Sequence, residues 1–186
     1  SEKDDGIYDA LNKGSKLSTG DIIGFLHADD SYPDNRIISN MIRKFTTHKE
    51  LDIILGDVIF TDKNGNKGRF YSGKNFNFNL GIMPPHPSVF IKKSCYENFG
   101  YFNTKYKIAS DYDLLYRFIQ LNNVKYLYSK DILVNMISGG ASNKSIMSVI
   151  NLNKEIYDIH QSHGYPISLI DLFRKIPVRI KEVLLS

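Results

Sequence analysis

The stretch Asp21-Ile22-Ile23-Gly24-Phe25-Leu26-His27 breaks directly into Ala28-Asp29-Asp30-Ser31-Tyr32-Pro33. A short, nearly continuous apolar run of this kind suits a strand buried on both faces of an α/β sheet. It leaves two adjacent carboxylates at the strand's carboxyl end, where ligands bind in such sheets. Like charges this close raise a pKa unless a cation compensates. Hard oxygen ligands suit Mg²⁺ or Mn²⁺, which are usually shared with a substrate diphosphate. The competing explanation is a helix cap, with Asp30 or Asp34 preceding a helix over 35–45.

The rest of the chain alternates between helical and strand patterns. Ile7, Ala10, Leu11 and Leu17 recur at helical spacing, with Asp4 or Asp5 as a cap and Gly20 closing the unit. Ile37, Ile38, Met41, Ile42 and Phe45 mark the helix over 35–45. A strand over 51–61 is followed by Asp62-Lys63-Asn64-Gly65-Asn66, a hairpin turn, and a returning strand over 68–71. Residues 72–81 read as a loop, and 83–87 as a stiff, extended, proline-rich segment. A strand over 88–91, a short helix over 93–99, an amphipathic helix over 111–121 and a strand region over 124–136 follow. Helical patterns over 145–163 and 167–185, interrupted at Pro177, complete the chain. This order argues for an α/β sandwich, with the strand ending at His27 near its centre.

Bulk properties narrow the classes. A chain of 186 residues is one ordinary domain, and 42% hydrophobic with 24% charged residues is a globular composition. The net charge of +4 comes without a dense Lys/Arg block, so nucleic acid is not an expected partner. Cys95 is alone, which excludes an intrachain disulfide or a thiolate metal framework. A buried thiol in a reducing, cytoplasmic setting is the natural expectation. No run approaches the roughly 20 apolar residues that span a bilayer, and no signal peptide is visible. The opening Ser1-Glu2-Lys3-Asp4-Asp5-Gly6 is not a methionine start and reads as the interior of a longer sequence.

Three further clusters carry chemistry. Ala109-Ser110-Asp111-Tyr112-Asp113 sets a second pair of acids at a helix start, where one caps and the other can be a general base. Pro85-His86-Pro87-Ser88 holds an imidazole on a stiff backbone, able to contact phosphate, sugar or metal or simply to pack. Gly139-Gly140-Ala141-Ser142 exposes backbone amides that can cradle an anion, though most glycine pairs are only turns.

Taken together these segments resemble family 2 glycosyltransferases of the GT-A fold. Asp5-Gly6-Ile7-Tyr8-Asp9-Ala10-Leu11-Asn12-Lys13-Gly14 resembles that family's D-G-I-x-x-A-x-N-x-G. Thr19-Gly20-Asp21-Ile22-Ile23-Gly24-Phe25-Leu26 followed by Ala28-Asp29-Asp30 resembles its T-G-D-x-I-x-x-L-x-x-D-D. The match runs to about Ser142 and is strongest from Asp5 to Asp30. It implies a GT-A-like (Rossmann-like) mixed sheet flanked by helices over 1–142, N-terminally truncated, with a C-terminal helical extension over 143–186.

The resemblance also implies roles. Asp30 would bind a Mn²⁺ or Mg²⁺ ion bridging the donor diphosphate, with Asp29 near the ribose or metal. Asp5, Asn12, Lys13, His86 and the 139–142 loop, through Gly139, Gly140 and Ser142, would line the donor. Asp111 falls where the family has the second acid of its E-D motif, the base that deprotonates the acceptor. Ser110 replaces the preceding acid, so the choice between Asp111 and Asp113 stays open. The implied reaction is a single displacement with inversion, from a nucleotide-sugar (UDP-sugar favoured) to a hydroxyl of a glycan or lipid-linked acceptor, as in cell-envelope polysaccharide synthesis. The family's nucleoside-gripping strand–helix–strand unit has no counterpart in this chain.

Two competing readings remain. The chain could be a non-catalytic remnant or interaction module that lost its nucleotide half. It could be another metal-dependent phosphoryl enzyme, though it lacks a P-loop. Separately, Arg174, Lys175, Arg179 and Lys181 interleave with apolar residues in the tail. A basic amphipathic helix of this kind suits peripheral contact with the inner face of a membrane, or packing on the domain.

Overall fold

The computed structural model describes residues 3–62, 66–137 and 146–168, together with 170 and 172. Its helices are α1 (Ile7–Leu17), α2 (Ile37–Thr47), α3 (Lys93–Phe99), α4 (Ser110–Leu115) and α5 (Ile146–Ser162). Its strands are β1 (Ile22–Gly24), β2 (Ile53–Thr61), β3 (Lys67–Tyr71), β4 (Val89–Lys92) and β5 (Tyr126–Ile137).

The centre of the sheet goes to β2, which is buried over its first seven residues. β5 runs parallel along one edge of β2 for its whole length. On the other edge β4 pairs antiparallel with Ile53, Ile54 and Leu55, and β3 pairs antiparallel with Val58, Ile59 and Thr61. β1 adds to β4, again antiparallel. The result is a mixed sheet in the order β1-β4-β2-β3, with β5 beside β2. Side chains alternate across a strand, and here both faces are covered. Ile53, Leu55, Val89 and Ile91 face a core with Tyr96, Tyr112, Leu115, Phe118, Ile156 and Ile159 from α3, α4 with its continuation, and α5. Ile54, Val58 and Phe90 face the other way, onto Ile37, Met41 and Phe45 of α2.

The helices over 7–17 and 93–99 form where periodicity places them. The strand into the acidic pair does not match expectation. β1 is only three residues long and lies at one margin of the described sheet, because the longer buried run of β2 takes the centre. Gly24 sits directly opposite Phe90 in the pairing. A Cβ there would lie 2.8 Å from the Phe90 ring, so the strand exit depends on a glycine. The helix over 111–121 also divides: α4 ends at Leu115, and Tyr116–Leu121 continues as a wider π turn. Residues 83–87 are not simply extended, since His86–Ser88 forms a short 3₁₀ turn.

Cys95 is buried, and burial, with Asp52 nearby, pushes its thiol up to about 12. Among the described residues no helix is long and apolar enough to cross a membrane. The hairpin tip at 63–65 and most of the tail after Ile167 lie outside the described residues.

Candidate active site

The acidic turn is anchored on both sides. β1 delivers it from the sheet, and Ser31 exchanges two backbone hydrogen bonds with Asn135 of β5, at 3.0 and 2.8 Å. Within the turn the Asp30 N–H donates to the His27 carbonyl at 3.0 Å. Asp30 does not cap α2. That end is organised by Asp34, whose Oδ1 accepts from the Arg36 N–H at 2.7 Å and whose carbonyl accepts from Ile37. Asp29 is exposed, whereas Asp30 is half-buried and its Oδ2 is a buried oxygen without a hydrogen-bond partner. Burial raises the Asp30 carboxyl, the charge of Asp29 adds to this, and His27 opposes it. An acceptor oxygen stranded in this way costs free energy unless a cation or donor meets it.

The two acids of the second cluster separate sharply. Asp113 is 1% exposed, and both its oxygens are engaged. Oδ2 accepts from Arg117 Nε at 2.9 Å and Oδ1 lies 3.0 Å from His163 Nε2. Asp111 sits at the start of α4 and is partly buried. Its Oδ1 accepts from the Tyr112 N–H at 2.8 Å and lies 3.2 Å from the Tyr8 hydroxyl. Both of these contacts fall on Oδ1, leaving Oδ2 outside them. Burial pushes this carboxyl up to about 6, outweighing the Tyr112 N–H and the Tyr8 hydroxyl, which favour the charged form. A base is most useful when its pKa lies near working pH.

An aromatic cluster is joined to Asp111 through Tyr8. His86 stacks on Phe25 with centroids 5.6 Å apart and meets Phe102 edge-on at 5.5 Å. Tyr8 stacks on the other side of Phe102 at 5.6 Å. The turn carrying His86 is fastened to β2 by Ser88, whose hydroxyl lies 2.7 Å from the Gly56 carbonyl and 2.8 Å from that of Pro85. Asn12 fixes Phe102 with a paired clip: its amide donates to the Phe102 carbonyl at 2.8 Å and its oxygen accepts from the Phe102 N–H at 2.9 Å. Burial, and then the charge of His27, push the His86 imidazole down to about 3. It is therefore a neutral ring packed beneath the site and carries no positive charge for a diphosphate.

Residues 1–114 match the family described as Glycosyl transferase family 2. The chain belongs to that family. It is 30% identical over 112 residues to a "PGL/p-HBAD biosynthesis glycosyltransferase" of Mycobacterium bovis, the alignment covering 60% of this chain and 43% of that protein. Homologues with the same name and identity occur in Mycobacterium tuberculosis. An uncharacterized glycosyltransferase of M. tuberculosis is 24% identical over 131 residues, covering 63% of this chain and 45% of that protein. The chain thus spans less than half the length of these relatives. Its fold is similar to S. aureus TarS 1–349, with a TM-score of 0.53 at 16% identity, covering 83% of this chain and 45% of that one. TarS has the same likeness in a crystal structure with UDP.

As a family 2 chain it places its expected site residues unevenly. His27 is bonded through its carbonyl to the Asp30 N–H, and its electrostatic influence reaches Asp30, His86 and Asp111. Asn12 is occupied by its clip to Phe102 rather than open to a donor. Lys13 points to the opening segment, with Lys3 O at 2.9 Å, Asp4 at 3.1 Å and Asp9 at 2.9 Å. Asp5 is exposed, and its N–H donates to Asp9 at 3.1 Å in place of the cap expected of it. Gly139, Gly140 and Ser142 lie outside the described residues.

His27 and Tyr8 are two further residues of the site that no motif position marks. His27 stands two residues before the acidic pair, at a position where the resemblance leaves the residue open. Tyr8 is likewise an open position in the first motif. Tyr8 carries no local signal, because its partners Phe102, Ile108 and Asp111 are distant in the chain.

Among the described residues no cluster of three or more His, Cys, Asp or Glu side chains could hold a metal alone. The residues nonetheless fit a divalent cation of the Mg²⁺ or Mn²⁺ type. Such ions use one or two carboxylates and take the rest of their ligands from water and phosphate, and the stranded Asp30 Oδ2 is an oxygen in want of a cation.

Proposed function

We propose that this chain carries the metal and acceptor side of an inverting glycosyltransferase, moving a sugar from a nucleoside-diphosphate donor to a hydroxyl. The observation that carries this reading is the presence of two unlike carboxylates, Asp30 on the turn after β1 and Asp111 at the start of α4. Asp30 has an unpartnered buried oxygen, and Asp111 takes its contacts from Tyr112 and Tyr8 on Oδ1 and has a carboxyl raised to about 6. A non-catalytic remnant has no use for either.

Asp111 Oδ2 takes the proton of the acceptor hydroxyl as that oxygen attacks the anomeric carbon. The bond from the anomeric carbon to the diphosphate oxygen breaks, and the nucleoside diphosphate leaves with the electron pair. Attack opposite the leaving group inverts the anomeric centre. Asp30, with Asp29, would hold Mn²⁺ or Mg²⁺, which offsets the charge on the departing diphosphate. Tyr8 keeps Asp111 aimed, and neutral His86 with Phe25 and Phe102 excludes water from beneath the site. A UDP donor is favoured, supported by the like-folded TarS having been crystallised with UDP. A glycan or lipid-linked hydroxyl is the acceptor class, in line with relatives named for PGL/p-HBAD biosynthesis.

The test is calorimetric titration of UDP in the presence of Mn²⁺, with the protein carrying this chain, set beside turnover. Asp30→Asn is expected to remove the Mn²⁺-dependent part of UDP binding and to lower turnover by about 10²-fold or more. Unchanged Mn²⁺-dependent binding and turnover in Asp30→Asn would sink the assignment.

A further inference from the structure

The loop leading into α4 is held from a direction that the family motifs do not cover. Glu155 projects from α5, beyond the residues of the family match. Its Oε1 accepts from the Lys107 N–H at 3.0 Å. Its Oε2 accepts from the Ile108 N–H at 2.9 Å and the Ala109 N–H at 2.8 Å. Three consecutive backbone donors thus converge on one carboxylate, just before the helix that carries Asp111. The N-cap residue of α4, Ala109, has no side chain that could supply a cap. A carboxylate accepting three N–H bonds is strongly tied to its place. The neighbouring turn of α5 reinforces the attachment through Asp158, whose carboxylate lies 2.7 Å from Lys105 Nζ.

The same peptide unit is gripped from the opposite side. Tyr8 of α1 donates its hydroxyl to the Ile108 carbonyl at 2.7 Å, and that hydroxyl also lies 3.2 Å from Asp111 Oδ1. Ile108 therefore gives its N–H to Glu155 and takes a proton donor from Tyr8. A phenol has one proton and lone pairs besides. When Asp111 is ionised, Tyr8 can donate to it. When Asp111 has taken its proton on Oδ2, Tyr8 gives its own proton to the Ile108 carbonyl instead. The arrangement serves both states of a base, provided that Ile108 is held still.

We propose that Glu155 is a positioning residue, fixing the 107–109 backbone so that Ile108 and Tyr8 hold Asp111 in its reactive orientation. This rests on Asp111 being the base. Misplacement of a reacting group by about 1 Å costs on the order of 10²-fold in rate. Loosening the loop also opens Asp111 to water, which relieves its desolvation. The charged and titratable groups facing Asp111 are Tyr8 on α1 and His27 on the acidic turn, with Glu155 of α5 acting on Tyr8.

The experiment compares Glu155→Gln, Glu155→Ala, Tyr8→Phe and Asp111→Asn in the protein carrying this chain. Each is measured for kcat, donor KM and the acid limb of kcat. Glu155→Gln keeps the size and an accepting oxygen, so it preserves the test if the alanine variant does not fold. For the Glu155 variants kcat is expected to fall about 10- to 100-fold, with donor KM within about twofold of the parent. The acid limb should move to lower pH, and the double variant with Tyr8→Phe should lose less than the product of the single losses. If Asp111→Asn abolishes turnover while folded Glu155 variants keep the parental kcat and acid limb, the positioning role is wrong and the base stands. A change confined to KM overturns it as well. Should Asp111→Asn keep parental turnover, the base reading itself fails, whatever Glu155 does.

Discussion

Asp111→Asn is expected to lower kcat for sugar transfer by about 10² to 10⁴, with donor binding retained and the protein slightly more stable than the parent. The loss follows from Oδ2, the oxygen outside the Tyr112 and Tyr8 contacts. Asparagine keeps the acceptor that meets the Tyr112 N–H and the Tyr8 hydroxyl, so the local structure survives. It replaces the proton-accepting Oδ2 by an amide that accepts nothing. The gain in stability follows from the direction of the pKa change. The carboxyl ordinarily titrates near 3.8 and is pushed up to about 6 in the folded chain. Its ionised form is therefore disfavoured by folding. That cost is absent below the unfolded value, grows between the two, and is fully present above the folded value. Removing the charge at pH 7 should recover about 1 kcal/mol, after allowance for solvent screening at this partly buried carboxylate. Thermal unfolding at pH 7 and steady-state kinetics check the two halves together.

Asp113→Ala is expected to do the reverse, destabilising the fold by roughly 3–5 kcal/mol. Asp113 is 1% exposed and lies between Arg117 and His163. The Arg117 guanidinium also reaches the carbonyls of Phe99, Gly100 and Tyr101. Without the carboxylate, its charge stays in place among carbonyl dipoles alone. A loss of this size is a large fraction of the 5–15 kcal/mol typical of a domain. Denaturant unfolding should show a large fall in the midpoint. A midpoint within experimental error of the parent would mean that the pair contributes nothing to the fold. The two acids stand two residues apart in the chain, yet one is expected to serve chemistry and the other structure.

The choice between those acids was not legible in the sequence. Both Asp111 and Asp113 sit at a helix start, and capping and catalysis use the same residue type there. Arg117 stands at i,i+4 from Asp113, a pairing open to many helical acids, but only the fold brings His163 onto Asp113 and Tyr8 onto Asp111. By contrast, the helix over 7–17 and the strand β2 were readable, because an apolar period of 3.6 or a long buried run is written in neighbouring residues. The short β1 was not, since its apolar run continues to Leu26, which the structure leaves 41% exposed. The change of helical pitch after Leu115 has no local signal either.

The acidic turn was legible as a candidate site through its spacing from the Asp5-Gly6 motif, but its supports were not. Tyr8 and Asp111 are 103 residues apart, and Glu155 reaches backbone N–H groups 46 to 48 residues away. Contacts between a side chain and a distant backbone leave no pattern in a single sequence. Asn12 illustrates the converse. The motif marks it, and the structure shows that its marked position serves Phe102 and, through it, the aromatic cluster with His86 and Tyr8.

The pH dependence of kcat/KM at saturating Mn²⁺ tests the central claim most directly, measured on the parent and on the residual activity of Asp111→Asn. A base whose carboxyl is raised to about 6 works only when deprotonated, so activity should climb through a midpoint near 6 and level off above it. The residual activity of Asp111→Asn should lack that limb. A parental midpoint near the ordinary carboxylate value of about 4, or a limb that persists unchanged in Asp111→Asn, would contradict the account.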